Sequence, residues 1–367
     1  MRILFVIDAL SSGGAQRLLI NTAKGLKTKH QVKIILHNSK LDFYSSHIKN
    51  ILIKTLVSEN SNGFSIRKVF ALRKELKNSD LVISYMPSSS IYVFLSKILL
   101  KRKTHISCEV SVLNKAESKL KRFLLNFTYI FIDHIICNSY TQTKFISKNI
   151  ILRNKVSTIW NGCQNMNFVI RKKNRNSQLN FIIVGRVAYP KNGLRLLKSL
   201  KIFYEDYNFL PNIKWIGRRD YSDKFNLKIN QEMDRFLFEN PIISDKFKFV
   251  GEKKYIEEEY SKADGIILPS IYEGLPFVIC EAMMNGCPIL ASQITDNDII
   301  LGKNGERGIL FNPYSAYNIS LEINKFINLN QNKIDKMTLN ARKFAEKHFM
   351  IDNMIKSYDE IINKIYE

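Results

Sequence analysis

The chain has 367 residues, more than one compact core commonly holds, so two domains are expected and a single small binding module is excluded. Hydrophobic residues make up 45% and charged residues 24%, which excludes wholesale disorder and fibrous repeats. Lys and Arg number 56 against 33 Asp and Glu, net +23, a field that attracts an anionic partner such as phosphate, nucleic acid or a lipid surface.

The excess is uneven: residues 1–170 carry 26 Lys and Arg against 8 Asp and Glu, net +18, and residues 171–367 carry 30 against 25, net +5. The opening MRILFVIDAL has one Arg and an apolar run broken at Asp8. It lacks the length and cleavage site of a signal peptide and reads as a first strand of a chain expected in the cytoplasm. Apolar runs of strand length follow at 32–36, 80–84, 105–107 and 134–137, separated by helical patterns. Continuous Val, Ile and Leu without strict alternation point to strands covered on both faces, hence a parallel α/β sheet. The apolar stretches at 91–100 and 123–137 are interrupted by Lys97, Asn126 and Asp133 and fall short of the roughly 20 residues that span a bilayer.

The polar, basic stretch 164–178 reads as a linker. Beyond it the pattern starts afresh, with strand runs at 181–185, 212–217, 247–251, 264–269 and 288–292. The expected fold is therefore two Rossmann-like α/β domains facing each other across a cleft, with ligands gathering at the carboxyl ends of the strands. Cys108, Cys137, Cys163, Cys280 and Cys287 form no C-x-x-C pair and no zinc-ligand spacing, and read as reduced core residues.

Three segments carry candidate chemistry. In LSSGGAQRLL at 10–19, Gly13 and Gly14 let a ligand approach a helix N-terminus that favours negative charge, although a plain tight turn explains them too. In FIIVGRVAYPKNGLRLL at 181–197, Arg186 leaves a strand end and Lys191 precedes the next helix. A guanidinium grips phosphate oxygens bidentately and an ammonium adds a point charge, which suits a pyrophosphate gaining charge as it leaves. Solvated surface cations are the competing reading. In PSIYEGLPFVICEAMMNGCPILAS at 269–292, Glu273 falls in a loop and Glu281 in the helix that Pro276 opens. Backbone amides around Gly274, Leu275 and Phe277 suit phosphate or hydroxyl oxygens, and the two carboxylates can accept from vicinal hydroxyls of a ribose or sugar.

Taken together, GGAQRLL, VGRVAYPKNG, FVG and EGLPFVICEAMMNGCPI resemble the retaining glycosyltransferases of the GT-B fold, in the family-four group, over nearly the whole chain. The resemblance implies Arg186 and Lys191 on the donor diphosphate, Glu281 on the nucleotide ribose, and Glu273 with the backbone of Gly274, Leu275, Pro276 and Phe277 on the donor sugar. Gly185 and Gly251 join the donor side, and Gly13 and Gly14 reach the phosphates from the other domain. His105 and Glu109, in THISCEVSVLNK at 104–115, are acceptor-site candidates; a core histidine and a rim glutamate are equally open. The segment 294–313 looks like relatives that decorate bacterial surface polysaccharides, in which such a loop closes near the diphosphate, except that TDND stands where many have glycines. The last helix is implied to cross back to the first domain. The domains are then 1–165, a linker 166–179, 180–347 and a C-terminal helix 348–367.

Asp296 and Asp298 invite a D-x-D metal reading, but such short motifs arise by chance and two cations already supply charge neutralisation, so no metal or other cofactor is expected. KLKRFLLNFTYIF at 119–131, beside KILLKRK at 97–103, combines cations with Phe and Leu at helical spacing. It reads as a face for anionic headgroups, a core-facing amphipathic helix, or both. The expected function is transfer of a hexosyl or N-acetylhexosaminyl unit from a UDP- or GDP-sugar type donor to an oligosaccharide or lipid-linked acceptor. The expected setting is bacterial surface polysaccharide synthesis, peripheral on the inner face of the cytoplasmic membrane and without nucleic acid. Alternatives are a basic nucleic-acid-binding protein without catalysis and a sugar-nucleotide epimerase.

Overall fold

The computed structural model describes residues 1–38, 44, 48, 50–56, 64–98, 100, 103–110, 119–170 and 178–367, with the side chains of 119–122 excluded. Two compact units emerge, Met1–Gly162 with Phe349–Glu367, and Cys163–His348.

The first unit runs β1 (Arg2–Ile7), α1 (Gly14–Leu26), β2 (Gln31–Leu36), β3 (Leu52–Thr55), α2 (Ile66–Lys77), β4 (Leu81–Tyr85), α3 (Pro87–Lys97), β5 (Thr104–Glu109), α4 (Lys119–Ile130), β6 (His134–Cys137), α5 (Tyr140–Ile146) and β7 (Val156–Thr158). Its sheet is parallel in the order β3-β2-β1-β4-β5-β6-β7. Ile3 pairs with Val32 and Phe5 with Ile34. The continuous apolar runs are the inner strands, as burial on both faces requires.

The second unit runs β8 (Asn180–Val184), α6 (Gly193–Tyr207), β9 (Asn212–Ile216), α7 (Lys224–Glu239), α8 (Pro241–Lys246), β10 (Phe247–Gly251), α9 (Glu257–Lys262), β11 (Gly265–Leu268), α10 (Phe277–Asn285), β12 (Ile289–Ser292), α11 (Asn297–Leu301), β13 (Ile309–Phe311), α12 (Ala316–Ile327) and α13 (Gln331–His348). Its parallel order is β10-β9-β8-β11-β12-β13. The chain ends in α14 (Ile351–Tyr366), which belongs to the first unit and packs on α1.

Three strands carried no sequence expectation: β3, β7 and β13. All are edge strands of three or four residues. An edge strand covered on one side needs no long apolar run, so its signal is weak. The expected boundaries at 165 and 347 compare with 162 and 348. Of the expected linker, residues 171–177 lie outside the described residues. Residues 166–169 are fastened to the second unit: the Val169 amide donates to the Asn285 carbonyl (3.0 Å), and the Asn285 and Arg342 side chains donate to the carbonyls of Asn167 (3.0 Å) and Met166 (2.8 Å). All five cysteines are buried and unpaired with one another. Burial pushes the Cys108 thiol up to about 12 and Cys137 higher still, so both are inert thiols.

Two buried histidines and one half-buried give the first unit a pH signature. His37 meets Ser89 Oγ (3.1 Å), His105 meets Ser84 Oγ (2.7 Å) and His134 meets Ser157 Oγ (2.8 Å). Burial lowers His37 and His134 to about 4 and His105 well below its usual value. An unfolded chain protonates these rings near pH ~6.5 while the folded chain does not. Their contribution to stability is thus full above that value and is lost as pH falls toward 4. Asp8, whose carboxyl burial raises, opposes this with one group against three. The thermal midpoint is expected to drop between pH 7 and 4.5, followed by circular dichroism, and a flat midpoint would contradict the buried neutral histidines.

Candidate active site

In the second sheet the strand order reverses between β8 and β11, so the loops after these two strands part and leave a crevice at their carboxyl ends. The loop after β8 carries Gly185, Arg186 and Lys191; the loop after β11 carries Ser270, Glu273 and Gly274. The Ile271 amide donates to the Pro190 carbonyl (2.8 Å), joining the two. Asn192, in the left-handed region at φ 58, donates to the carbonyls of Pro269 (3.0 Å) and Pro313 (2.8 Å), and so ties in the loop after β13.

Lys191 ends a short 3-10 turn, and its ammonium forms an ion pair with Glu273 across the crevice. Glu273 Oε1 also accepts from Ser270 Oγ (2.8 Å). Both side chains of the pair are mostly buried. An ammonium has three donors, so Lys191 can hold Glu273 and still donate to a phosphate oxygen. Gly185 makes room for this: at φ 141, a Cβ there would lie 3.0 Å from Lys191 Cε. Behind it the Gly185 carbonyl accepts from Trp215 Nε1 (2.8 Å), and a Cβ on Gly217 would sit 2.0 Å from that same oxygen. Arg186 is half exposed and donates to Asp220 Oδ2 (2.7 Å). Asp220 also accepts from the Ser222 amide (3.0 Å), and the Arg186 and Arg218 charges help hold its carboxyl below the usual range despite burial, which opposes them. Asn230, buried in α7, donates to the carbonyls of Val187, Asp220 and Asn226 and so fixes both loops.

Pro276 precedes the first residue of α10, and no side chain caps that helix. Gly274, Leu275, Pro276 and Phe277 are all buried. Glu281 lies one turn inside α10, 5% exposed, accepting from Tyr260 OH (2.9 Å) on α9. Gly251 ends β10 at φ 75 with nothing within 4 Å of an added Cβ, and its carbonyl accepts from the Gly217 amide (2.8 Å). The second unit thus brings together Gly185, Arg186, Lys191, Glu273, Gly274 and the start of α10. Sequence reasoning missed Asp220, Asn192, Ser270 and Tyr260. Only Asn192 had a usable signal, the Asn-Gly pair that marks a turn.

The first unit places its candidates separately. Gly14 opens α1 after Gly13, whose extended backbone carries no side-chain cap. His105 and Glu109 are 1% and 0% exposed on β5. They end one buried chain of hydrogen bonds, His105–Ser84–Ser90–Ser107–Glu109, with steps of 2.7, 3.0, 2.7 and 2.9 Å. Of the two readings open for His105, acceptor group or core histidine, its buried ring, hydrogen-bonded to Ser84, fits the core one. Glu109 stands at the carboxyl end of its strand; residues 111–115 of that segment lie outside the described residues. Asp296 is buried at the head of α11, and the Asp298 carboxylate accepts from the Ile299 amide (2.9 Å). Among the described residues no group of three or more His, Cys, Asp or Glu is placed to hold a metal, and no helix is long and apolar enough to cross a membrane.

Residues 12–164 match the family described as Glycosyltransferase Family 4, and residues 230–344 match Glycosyl transferases group 1. The chain belongs to the family-four, group 1 glycosyltransferases. It is 25% identical to a Campylobacter jejuni GalNAc-alpha-(1->4)-GalNAc-alpha-(1->3)-diNAcBac-PP-undecaprenol alpha-1,4-N-acetyl-D-galactosaminyltransferase, covering 100% of this chain and 99% of that one. Its fold is GT-B: sucrose-phosphate synthase of Thermosynechococcus elongatus superposes with a TM-score of 0.84 at 14% identity, over 100% of this chain and 99% of that one. Anabaena HepE in complex with UDP and glucose gives 0.81 at 18%, over 99% and 100%.

For this glycosyltransferase, Gly185→Ala both strains a positive φ and drives a methyl into the Lys191 stem. The variant is expected to stay folded by circular dichroism and to lose roughly tenfold or more in kcat/KM. Wild-type kinetics would mean that the position of Lys191 does not matter.

Proposed function

We propose that this glycosyltransferase moves a hexosyl or N-acetylhexosaminyl unit from a nucleoside diphosphate sugar, of the UDP or GDP kind, to a hydroxyl of a lipid-linked oligosaccharide. The setting is bacterial surface polysaccharide synthesis, O-antigen or capsule, at the inner face of the cytoplasmic membrane, with nucleic acid no partner. The observation that carries the reading is the meeting of Lys191 and Glu273 at the switch point of the second sheet, beside Arg186. The diphosphoundecaprenol in the relative's name supports the acceptor class, and the UDP and glucose of the structural neighbour support the donor class.

In this reading Arg186 and Lys191 hold the diphosphate, Glu281 the ribose, and Glu273 with the backbone of Gly274 to Phe277 the sugar. Gly251 and Gly185 keep the strand ends open. The bond from the anomeric carbon to the phosphate oxygen breaks as the acceptor oxygen bonds to that carbon. The acceptor proton passes to the departing phosphate oxygen, and configuration is retained. No protein base is required, so stabilising the leaving charge is the main task, and two cations perform it without a metal. The positive first unit draws the enzyme to anionic lipid, reversibly with salt.

Steady-state kinetics of Arg186→Ala, Lys191→Ala, Glu273→Gln and Glu281→Gln, in excess EDTA, test the assignment. The two cation variants are expected to lose on the order of 100-fold or more in kcat, while Glu281→Gln loses mainly donor affinity and Glu273→Gln falls between. Wild-type turnover in both cation variants would remove the site, and activity lost to EDTA and restored by Mn²⁺ would remove the metal-free reading.

A further inference from the structure

The loop after β9 underpins the cation at the end of β8. The pairing of the two strands runs on past their ends: the Val187 amide donates to the Arg218 carbonyl (2.9 Å) and the Asp220 amide to the Val187 carbonyl (3.1 Å). Val187 is wholly buried, so Arg186 beside it turns to the opposite side of the extended chain. There it meets Asp220, 7% exposed, whose Oδ2 accepts from Arg186 Nη1 (2.7 Å). Asp220 is itself fixed at three points. Its Oδ1 accepts from the Ser222 amide (3.0 Å), its own amide is held by Val187, and its carbonyl accepts from Asn230 (3.0 Å). The carboxylate therefore cannot follow the arginine, and the arginine settles on the carboxylate.

The way Arg186 is held separates it from other arginines of the chain. Arg219 spends Nη1 and Nη2 on Asp234 (2.8 and 2.7 Å) and lies over the Phe249 ring (4.1 Å), and Arg2 spends Nη2 and Nε on Asp80 (2.8 and 3.4 Å). A two-pronged grip of that kind uses up the fork that recognises phosphate. Arg186 gives Asp220 one arm only. Its Nε and Nη2 donate to none of the described residues, and its side chain is 50% exposed. A long stem left to itself samples many rotamers, and the grip of Asp220 removes much of that freedom before a ligand arrives. Burial pushes the Asp220 carboxyl up, yet the Ser222 hydrogen bonds and the charges of Arg186 and Arg218 hold it below its ordinary value, so the bond to Arg186 is charge-assisted at neutral pH. A carboxylate beside a phosphate site also repels the ligand. What it contributes is orientation rather than affinity.

We propose that Asp220 is a positioning residue for the transfer reaction: it holds Arg186 by Nη1 so that Nε and Nη2 are presented to the phosphate oxygens of the donor. This deepens the reading of Arg186 as a diphosphate ligand and rests on it. Kinetics and thermal midpoints are measured for wild type, Arg186→Ala, Asp220→Asn and the double variant. Asp220→Asn keeps the volume of the side chain and loses its charge. It is expected to lower kcat roughly tenfold while the donor KM stays level or falls, because orientation is needed as charge develops and the lost repulsion favours the bound donor. In the Arg186→Ala background the same substitution is expected to cost less than about twofold, since no guanidinium is left to position. A second measurement needs no change at Asp220: nitrogen-15 NMR of the guanidinium groups, with the Arg186 signals assigned by their loss in Arg186→Ala. Hindered rotation, seen as separate Nη1 and Nη2 resonances in the ligand-free protein, is expected. A single averaged resonance overturns the proposal, whether or not Asp220→Asn folds. Wild-type kcat in Asp220→Asn beside an impaired Arg186→Ala also overturns it and leaves the diphosphate reading standing, as does an undiminished loss in the double variant. A raised donor KM with a lowered thermal midpoint in Asp220→Asn marks a merely structural carboxylate and overturns it too. Wild-type turnover in Arg186→Ala removes the diphosphate reading, and the positioning role falls with it.

Discussion

Glu273 and Lys191 lie 82 residues apart in sequence and meet because the strand order of the second sheet reverses between β8 and β11, whose following loops carry them. A mostly buried ammonium needs a partner, since leaving it unpaired in a low dielectric costs far more than the pair gains at the surface. Glu273 supplies that partner, and Ser270 donates to the same carboxylate. Gly185 and Gly217 are the backbone side of the same constraint: a Cβ on the first would press on the Lys191 stem, and one on the second would collide with the Gly185 carbonyl. The buried Asn230 and the left-handed Asn192 then lock the loops whose tips bear the charges.

Much of this was legible in sequence because parallel inner strands are covered on both faces and leave unbroken apolar runs. FIIVG and DGIILP could be placed as strands, and their carboxyl ends then named Arg186, Lys191 and Glu273 as neighbours of a crevice. The ion pair itself was not legible, because which cation meets which carboxylate depends on strand order rather than spacing. Edge strands β3, β7 and β13 escaped for the opposite reason, being short and half covered. His105 stayed open between two readings because an imidazole inside a sheet and one at a binding site look alike in sequence; the serines at 84, 90 and 107 that absorb it become its neighbours only in the folded sheet.

The two units differ in charge. The second carries the Lys191–Glu273 pair beside Arg186, with a nearly balanced remainder; the first carries most of the excess positive charge.

The most direct measurement is calorimetric binding of the free nucleoside diphosphate and of its sugar to wild type and Lys191→Ala. If Lys191 meets charge that grows as the sugar leaves, the substitution weakens the diphosphate, which bears the extra charge, by roughly tenfold or more, and the nucleotide sugar by much less. Equal weakening of the two ligands, or none, would contradict the role assigned to the Lys191–Glu273 pair.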